Sequence, residues 1–225
     1  MARISVNKLA ELLISPSAAR RRRIVTDQKH PPDIQVARYR LARPVVRDYF
    51  TAIDRQASII DAAVVRLRAD NSGTPWNLED RQSTADALEH LIQLLPKLPQ
   101  DEDLRFSFGA DDAPKLTIAG VEVSVRPDII VTRFRRGRAS CGAFKFHWVK
   151  NDDSSLQKRG SEFVAVVMHE WLRQFGPGNH QPDPKLCLSI DVFRRSVVHS
   201  PQAMTRRLEE IEAGCQEVAA RWGQV

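Results

Sequence analysis

The spacing of apolar positions divides the chain into two regimes. Up to Pro99 they recur every three or four residues, the period of a helix. Ser5 before Val6-Asn7-Lys8-Leu9 predicts a capped helix start, with Leu9, Leu12 and Leu13 on one face. Ser15-Pro16-Ser17 predicts a restart into a second helix that carries Arg20–Arg23. Pro31-Pro32, within Lys29–Asp33, predicts a loop. From Ile34 to about Ala69 the positions Val36, Leu41, Val45, Val46, Tyr49, Phe50, Ile53, Ile60 and Val64 predict one long helix. Asn71–Pro75 breaks it. Leu78–Leu98 predicts a further helix, with Ala85, Leu88, Leu91, Ile92 and Leu95 as its buried stripe.

After Pro99 the period shortens towards two. Leu104–Phe108 reads as an edge strand, and Asp111-Asp112-Ala113-Pro114 as a turn. Lys115–Ile118 and Val121–Val125 flank Ala119-Gly120 and predict a hairpin. Asp128–Phe134 and Ser140–Val149 predict two strands joined through the basic turn Arg135-Arg136-Gly137-Arg138. Asn151–Ser155 reads as a loop. Leu156–Phe175 predicts a largely buried helix, Lys185–Phe193 and Ser196–His199 two strands, and Pro201–Trp222 a closing helix with a single apolar seam. The fold class is therefore α+β. A helical N-terminal region at 1–99 precedes a sheet core at 100–225, whose strands are expected in one mixed sheet with Leu156–Phe175 on a face.

Composition narrows this further. Hydrophobic residues make up 42% and charged residues 28%, the balance of a globular chain and not of a disordered one. No apolar run reaches the length that spans a bilayer, so no membrane partner is expected. The start, Met1–Leu13, lacks the apolar core of a signal peptide. Cys141, Cys187 and Cys215 are odd in number and far apart, which argues against a disulfide framework and for a cytoplasmic setting. The net charge of +6 comes mostly from arginine, whose planar fork suits phosphate. The basic clusters are Arg20–Arg23, the turn around Arg136, Arg194-Arg195 and Arg206-Arg207.

The chemistry concentrates at Val125–Lys145. Asp128 lies on one apolar strand and Lys145 on the next. On the second strand Lys145 shares a face with Ala143 and His147, while Phe144 and Phe146 take the other. Two acids on adjacent strands with a lysine beside them hold Mg²⁺ and orient a water for attack on a phosphodiester. Asp128 and Lys145 meet two of these needs. Trp148 either stacks on a base or packs in the core.

Arg126-Pro127-Asp128 followed by Ala143-Phe144-Lys145 resembles the motif pair of the PD-(D/E)xK nuclease superfamily, and within it the RecB-type members. The order of hairpin, Asp strand, Lys strand, buried helix and strand is similar too. So is the opening, Ser5-Val6-Asn7-Lys8-Leu9 and then Ser15-Pro16. The resemblance implies a restriction-endonuclease-like mixed central sheet flanked by helices. It implies nucleic acid as partner, Mg²⁺ as cofactor, and a bacterial role in DNA processing or in defence against phage and mobile elements. Asp128 would ligate the metal and Lys145 would assist the attacking water. Ala143, however, stands where the second acid belongs, and a methyl group ligates nothing. The upstream helical ligand of RecB-type enzymes points to Glu89 or His90, and a migrated acid points to Glu162 on the buried helix. Glu122, in the hairpin, is expected at the surface. Gln157 stands near the place of the family's glutamine. Arg133, Arg135, Arg136 and Arg138 would lie beside the site and hold the phosphate backbone. The alternative implied by Ala143 is a catalytically inactive structural or nucleic-acid-binding subunit of a larger complex, with a protein partner.

Overall fold

The structure, a computed structural model, describes residues 1–31, 39–152 and 155–225. The chain opens with a strand, β1 (Arg3–Ser5), which sequence periodicity did not reveal. Ser5 then caps α1 (Val6–Ile14), its hydroxyl accepting the Lys8 N–H at 3.4 Å. Ser17 does the same for α2 (Ala18–Lys29), accepting from Arg20 at 3.3 Å. Each cap satisfies one backbone donor that the first helical turn leaves unpaired.

The long helix expected up to Ala69 is two helices, α3 (Ala42–Thr51) and α4 (Ser58–Ala69). Its first part, with Ile34 and Val36, lies outside the described residues, as do Pro32 and Asp33. A continuous helix over 42–69 would be about 42 Å long and would carry one end past its core. Instead Ala52 is extended and Arg55 takes a left-handed φ of 45°, which turns the chain back and leaves Ile53 in solvent. The buried residues of both helices then serve one core. Thr74 and Pro75 start α5 (Pro75–Leu94), which ends in a short 3-10 turn at Leu95–Lys97.

The strands form two sheets where one was expected. The larger contains β2 (Leu104–Phe108), β5 (Ile129–Arg135), β6 (Arg138–His147), β7 (Gln181–Asp191) and β8 (Ser196–His199), in that order. It is mixed: β6 and β7 run parallel and the other pairs antiparallel. The crossover from β6 to β7 is made through α6 (Gln157–Phe175). The hairpin of β3 (Leu116–Ile118) and β4 (Val121–Ser124) leaves this sheet and pairs with β1, which lies parallel to β4. The closing helix, α7, spans Thr205–Trp222. The architecture is thus α+β with mixed sheets.

Two cores sandwich the large sheet. One gathers α1, α2, α6, α7 and the small sheet against Cys141, Ala143 and Cys187. The other gathers α3, α4 and α5 against Ile129, Val131, Phe144, Phe146, Leu188 and Ile190. Side chains alternate across β6 as the pleat requires. Both cores draw residues from before and after residue 99, so the helical prefix packs as part of the same body. At Gly142 a Cβ would run into the Leu186 backbone, and the β6–β7 register shifts between Cys141 and Ala143 at this point.

All three cysteines are buried. Burial pushes the Cys141 thiol up to about 11 and the Cys215 thiol to about 12, and raises Cys187 as well. The reactive thiolate is therefore scarce at neutral pH. A thiol-specific reagent at pH 8 is expected to label none of them in the folded protein and all three after unfolding in denaturant. Labelling of any cysteine within minutes in native buffer contradicts this.

Candidate functional site

The site begins at the end of the β5–β6 ladder. Ile129 pairs with Phe144, and one step further Asp128 stands opposite Lys145, with the Asp128 N–H donating to the Phe144 carbonyl at 2.9 Å. Phe144 and Phe146 fill the core beneath α3 and α5, so the pleat turns Lys145 to the opposite face. There its ammonium lies 3.3 Å from Asp128 Oδ2 and donates to the Arg126 carbonyl at 2.7 Å. The Phe146 N–H donates to Asp128 Oδ2 at 2.9 Å. Arg43 comes from α3, its Nε 3.9 Å from Asp128 Oδ1 and its guanidinium over the Phe108 ring at 4.7 Å. The Asp128 and Lys145 side chains are only 13% and 16% exposed. An ion pair this far out of water needs its remaining hydrogen bonds satisfied, and the Arg126 carbonyl and Phe146 N–H do this.

Asp128 and Lys145 form part of the wall of a cavity of about 850 Å³. Among the described residues its lining carries five cations, Lys8, Arg40, Arg43, Lys145 and Lys150, against two carboxylates, Glu11 and Asp128. Glu11 reaches the cavity from α1, where it is buried and paired with Lys8 at 2.6 Å and with Arg20. Three aromatic rings complete one side. Trp148 stacks on Phe146 at 5.7 Å and on Tyr39 at 6.4 Å, both nearly parallel. Trp148 therefore packs on its neighbours and also faces the cavity. His147, also in the lining, sits 3.4 Å from Asn7 Nδ2 through its Nδ1.

The other residues marked by the sequence lie elsewhere. Ala143 is fully buried in the core shared with α6. Glu162 is held by Arg207 of α7 at 2.7 Å and does not line the cavity. Glu89 and His90 sit on α5, which packs on the opposite face of the sheet. Glu89 pairs with Arg68 at 2.9 Å. His90 Nδ1 accepts from Arg195 Nε at 3.1 Å, and burial, then the Arg195 charge, holds its pKa below the usual value. The structure thus brings neither α5 residue to Asp128. Glu122 pairs with Lys115 at 3.0 Å, and Gln157 is exposed at the start of α6. Arg133, Arg135, Arg136 and Arg138 lie at the other end of β5 and β6. Arg135 pairs with Arg138 seven ladder steps from Asp128, about 23 Å at ~3.3 Å per residue. The arginine turn does not sit beside the lysine, because the two strands run the full length of the sheet between them.

Several contributors escaped the sequence, among them Glu11 and Arg43. Glu11 had a signal: it is a lone charge inside Leu9-Ala10-Glu11-Leu12-Leu13, where a helix faces its core. Arg43 had none, since its reach to Asp128 depends on how α3 crosses the sheet edge. Among the described residues no group of three or more His, Cys, Asp or Glu side chains comes together. No helix among them is long and apolar enough to cross a membrane. No protein-family model matches the chain, and no curated protein matches it.

Proposed function

We propose that this protein binds nucleic acid in the Asp128–Lys145 cleft, on a restriction-endonuclease-like core of the PD-(D/E)xK type. The observation that carries the reading is the surplus of cations around this cleft combined with its aromatic wall. Lys145, Arg43 and Lys8 supply charged donors for phosphate oxygens. The half-buried Trp148 ring lines the cleft and supplies a face on which a base stacks, worth about 1–3 kcal/mol per base. Bases inside a duplex offer no free face, so the cleft favours single-stranded or unpaired nucleotides. The test is binding of a fluorescent single-stranded oligonucleotide, followed by anisotropy over a salt series. Lys145→Ala combined with Arg43→Ala is expected to weaken binding at least tenfold. It is also expected to flatten the salt dependence by about 0.7 for each lost phosphate contact. Wild-type affinity and salt slope in that variant would sink the proposal.

A second reading, metal-assisted phosphodiester hydrolysis, is favoured by Glu11. It lines the same cavity as Asp128, where it is the second carboxylate among the described residues. Mg²⁺ takes one or two carboxylates and completes its shell with water and phosphate oxygens, and Asp128 with Glu11 meets that donor set. Held there, Mg²⁺ would polarise a phosphodiester and acidify a bound water. In this reading Lys145 positions Asp128 and neutralises the phosphate, and the aromatic wall orients the strand.

A further inference from the structure

The arginine turn at the far end of the sheet has a cavity of its own, of about 1180 Å³. Its lining includes Arg133, Arg135, Arg136 and Arg138, with Asp183 as its one acid among the described residues. Asp183 is already engaged, by Arg133 at 2.6 Å and by the Lys185 N–H at 3.0 Å. Arg135 has Asp103 at 3.9 Å. Arg136 and Arg138 have no ion pair among the described residues. Arg135 and Arg138 also stand directly opposite each other in the ladder. Like charges at such a pair oppose strand pairing, so the fold alone does not account for them. A bound polyanion removes that repulsion. The turn itself is fixed: Arg136 and Gly137 take φ of 51° and 75°, which closes a two-residue hairpin whose arginines are exposed. The remaining polar side chains of the lining are neutral: Ser140 and the amides Asn179, Gln181 and Gln202. Arginine forks with amides around them match phosphate oxygens, sugars and base edges.

We infer that this groove is a second nucleic-acid site, which holds the phosphate backbone at the end of the five-stranded sheet opposite the cleft. The inference rests on nucleic acid being the ligand of this protein, but not on occupancy of the Asp128–Lys145 cleft. The turn is exposed, so substitutions there leave both cores intact.

The experiment compares Arg135→Gln/Arg136→Gln/Arg138→Gln with Lys145→Ala/Arg43→Ala and the unaltered chain. Each is titrated with a 20-base single strand and a 20-base-pair duplex over a salt series. The groove variant is expected to lose at least tenfold in affinity for the duplex. Its salt slope is expected to fall by about 2–3, near 0.9 per arginine–phosphate contact. A loss in the groove variant with none in the cleft variant upholds the groove and rejects the cleft. Unchanged duplex affinity and slope in the groove variant overturns the inference, whatever the cleft variant does. Tighter binding of poly-glutamate than of the duplex, lost in the groove variant, also overturns it and marks the turn as a surface for acidic protein.

Discussion

Asp128→Asn is expected to tighten metal-free binding of a single-stranded oligonucleotide about tenfold or more. The carboxylate lies among the cations that meet the phosphate, and it occupies Lys145 at 3.3 Å. The isosteric amide keeps an oxygen to accept the Phe146 N–H, so the local backbone is held. What changes is one negative charge near the bound phosphate. At ~5 Å and an effective dielectric of ~20–80, that charge opposes binding by about 1–3 kcal/mol. Anisotropy in EDTA at about 0.1 M salt measures it. Weaker binding in Asp128→Asn means that the carboxylate itself contacts the ligand, and the phosphate-cleft reading then fails. The same variant separates the two readings. If the cleft hydrolyses phosphodiesters, Mg²⁺-dependent cleavage disappears in Asp128→Asn and in Glu11→Gln while binding persists. Equal cleavage in both variants and the unaltered chain removes the hydrolytic reading.

Phe144→Ala is expected to destabilise the protein by about 3–5 kcal/mol, the range for truncating a buried aromatic side chain. Phe144 is fully buried, with its ring 5.7 Å from Phe50 and 6.0 Å from Phe106. It therefore joins α3, β2 and β6 at once, and the cavity it leaves has three rigid walls. Urea unfolding followed by far-ultraviolet circular dichroism measures the change. Ile53→Ser is the control: Ile53 is wholly in solvent, and its replacement is expected to stay within about 0.5 kcal/mol. A Phe144→Ala cost no larger than the control's contradicts the packing described here. Loss of the ring also loosens the strand that presents Lys145 and the helix that presents Arg43, so ligand binding is expected to weaken with stability.

The helices and strands were legible where local chemistry is decisive. Ser5 and Ser17 cap because their hydroxyls meet N–H groups only three residues away. Ala119-Gly120 and Arg136-Gly137 turn because glycine takes positive φ without strain. The strand of three residues at Arg3–Ser5 was not legible, since a run so short has no period. Nor was the break between α3 and α4. The apolar pattern runs through it, and only the size of the core requires the chain to fold back.

The site divides along the same line. The sequence alone determined that Asp128 and Lys145 come from consecutive strands joined by a tight basic turn, and that Ala143 shares the lysine's face, because side chains alternate along a strand. The structure shortened the turn to Arg136-Gly137 and so fixed the register that sets Asp128 opposite Lys145. The tertiary structure decided which groups join them. Glu11 and Arg43 arrive from α1 and α3, 117 and 85 residues before Asp128 in the chain. The tertiary structure also sent Glu89, His90, Glu162 and the arginine turn elsewhere. Local sequence sets which way a side chain points along its own strand or helix. Packing two cores against opposite faces of one sheet sets which of those directions converge.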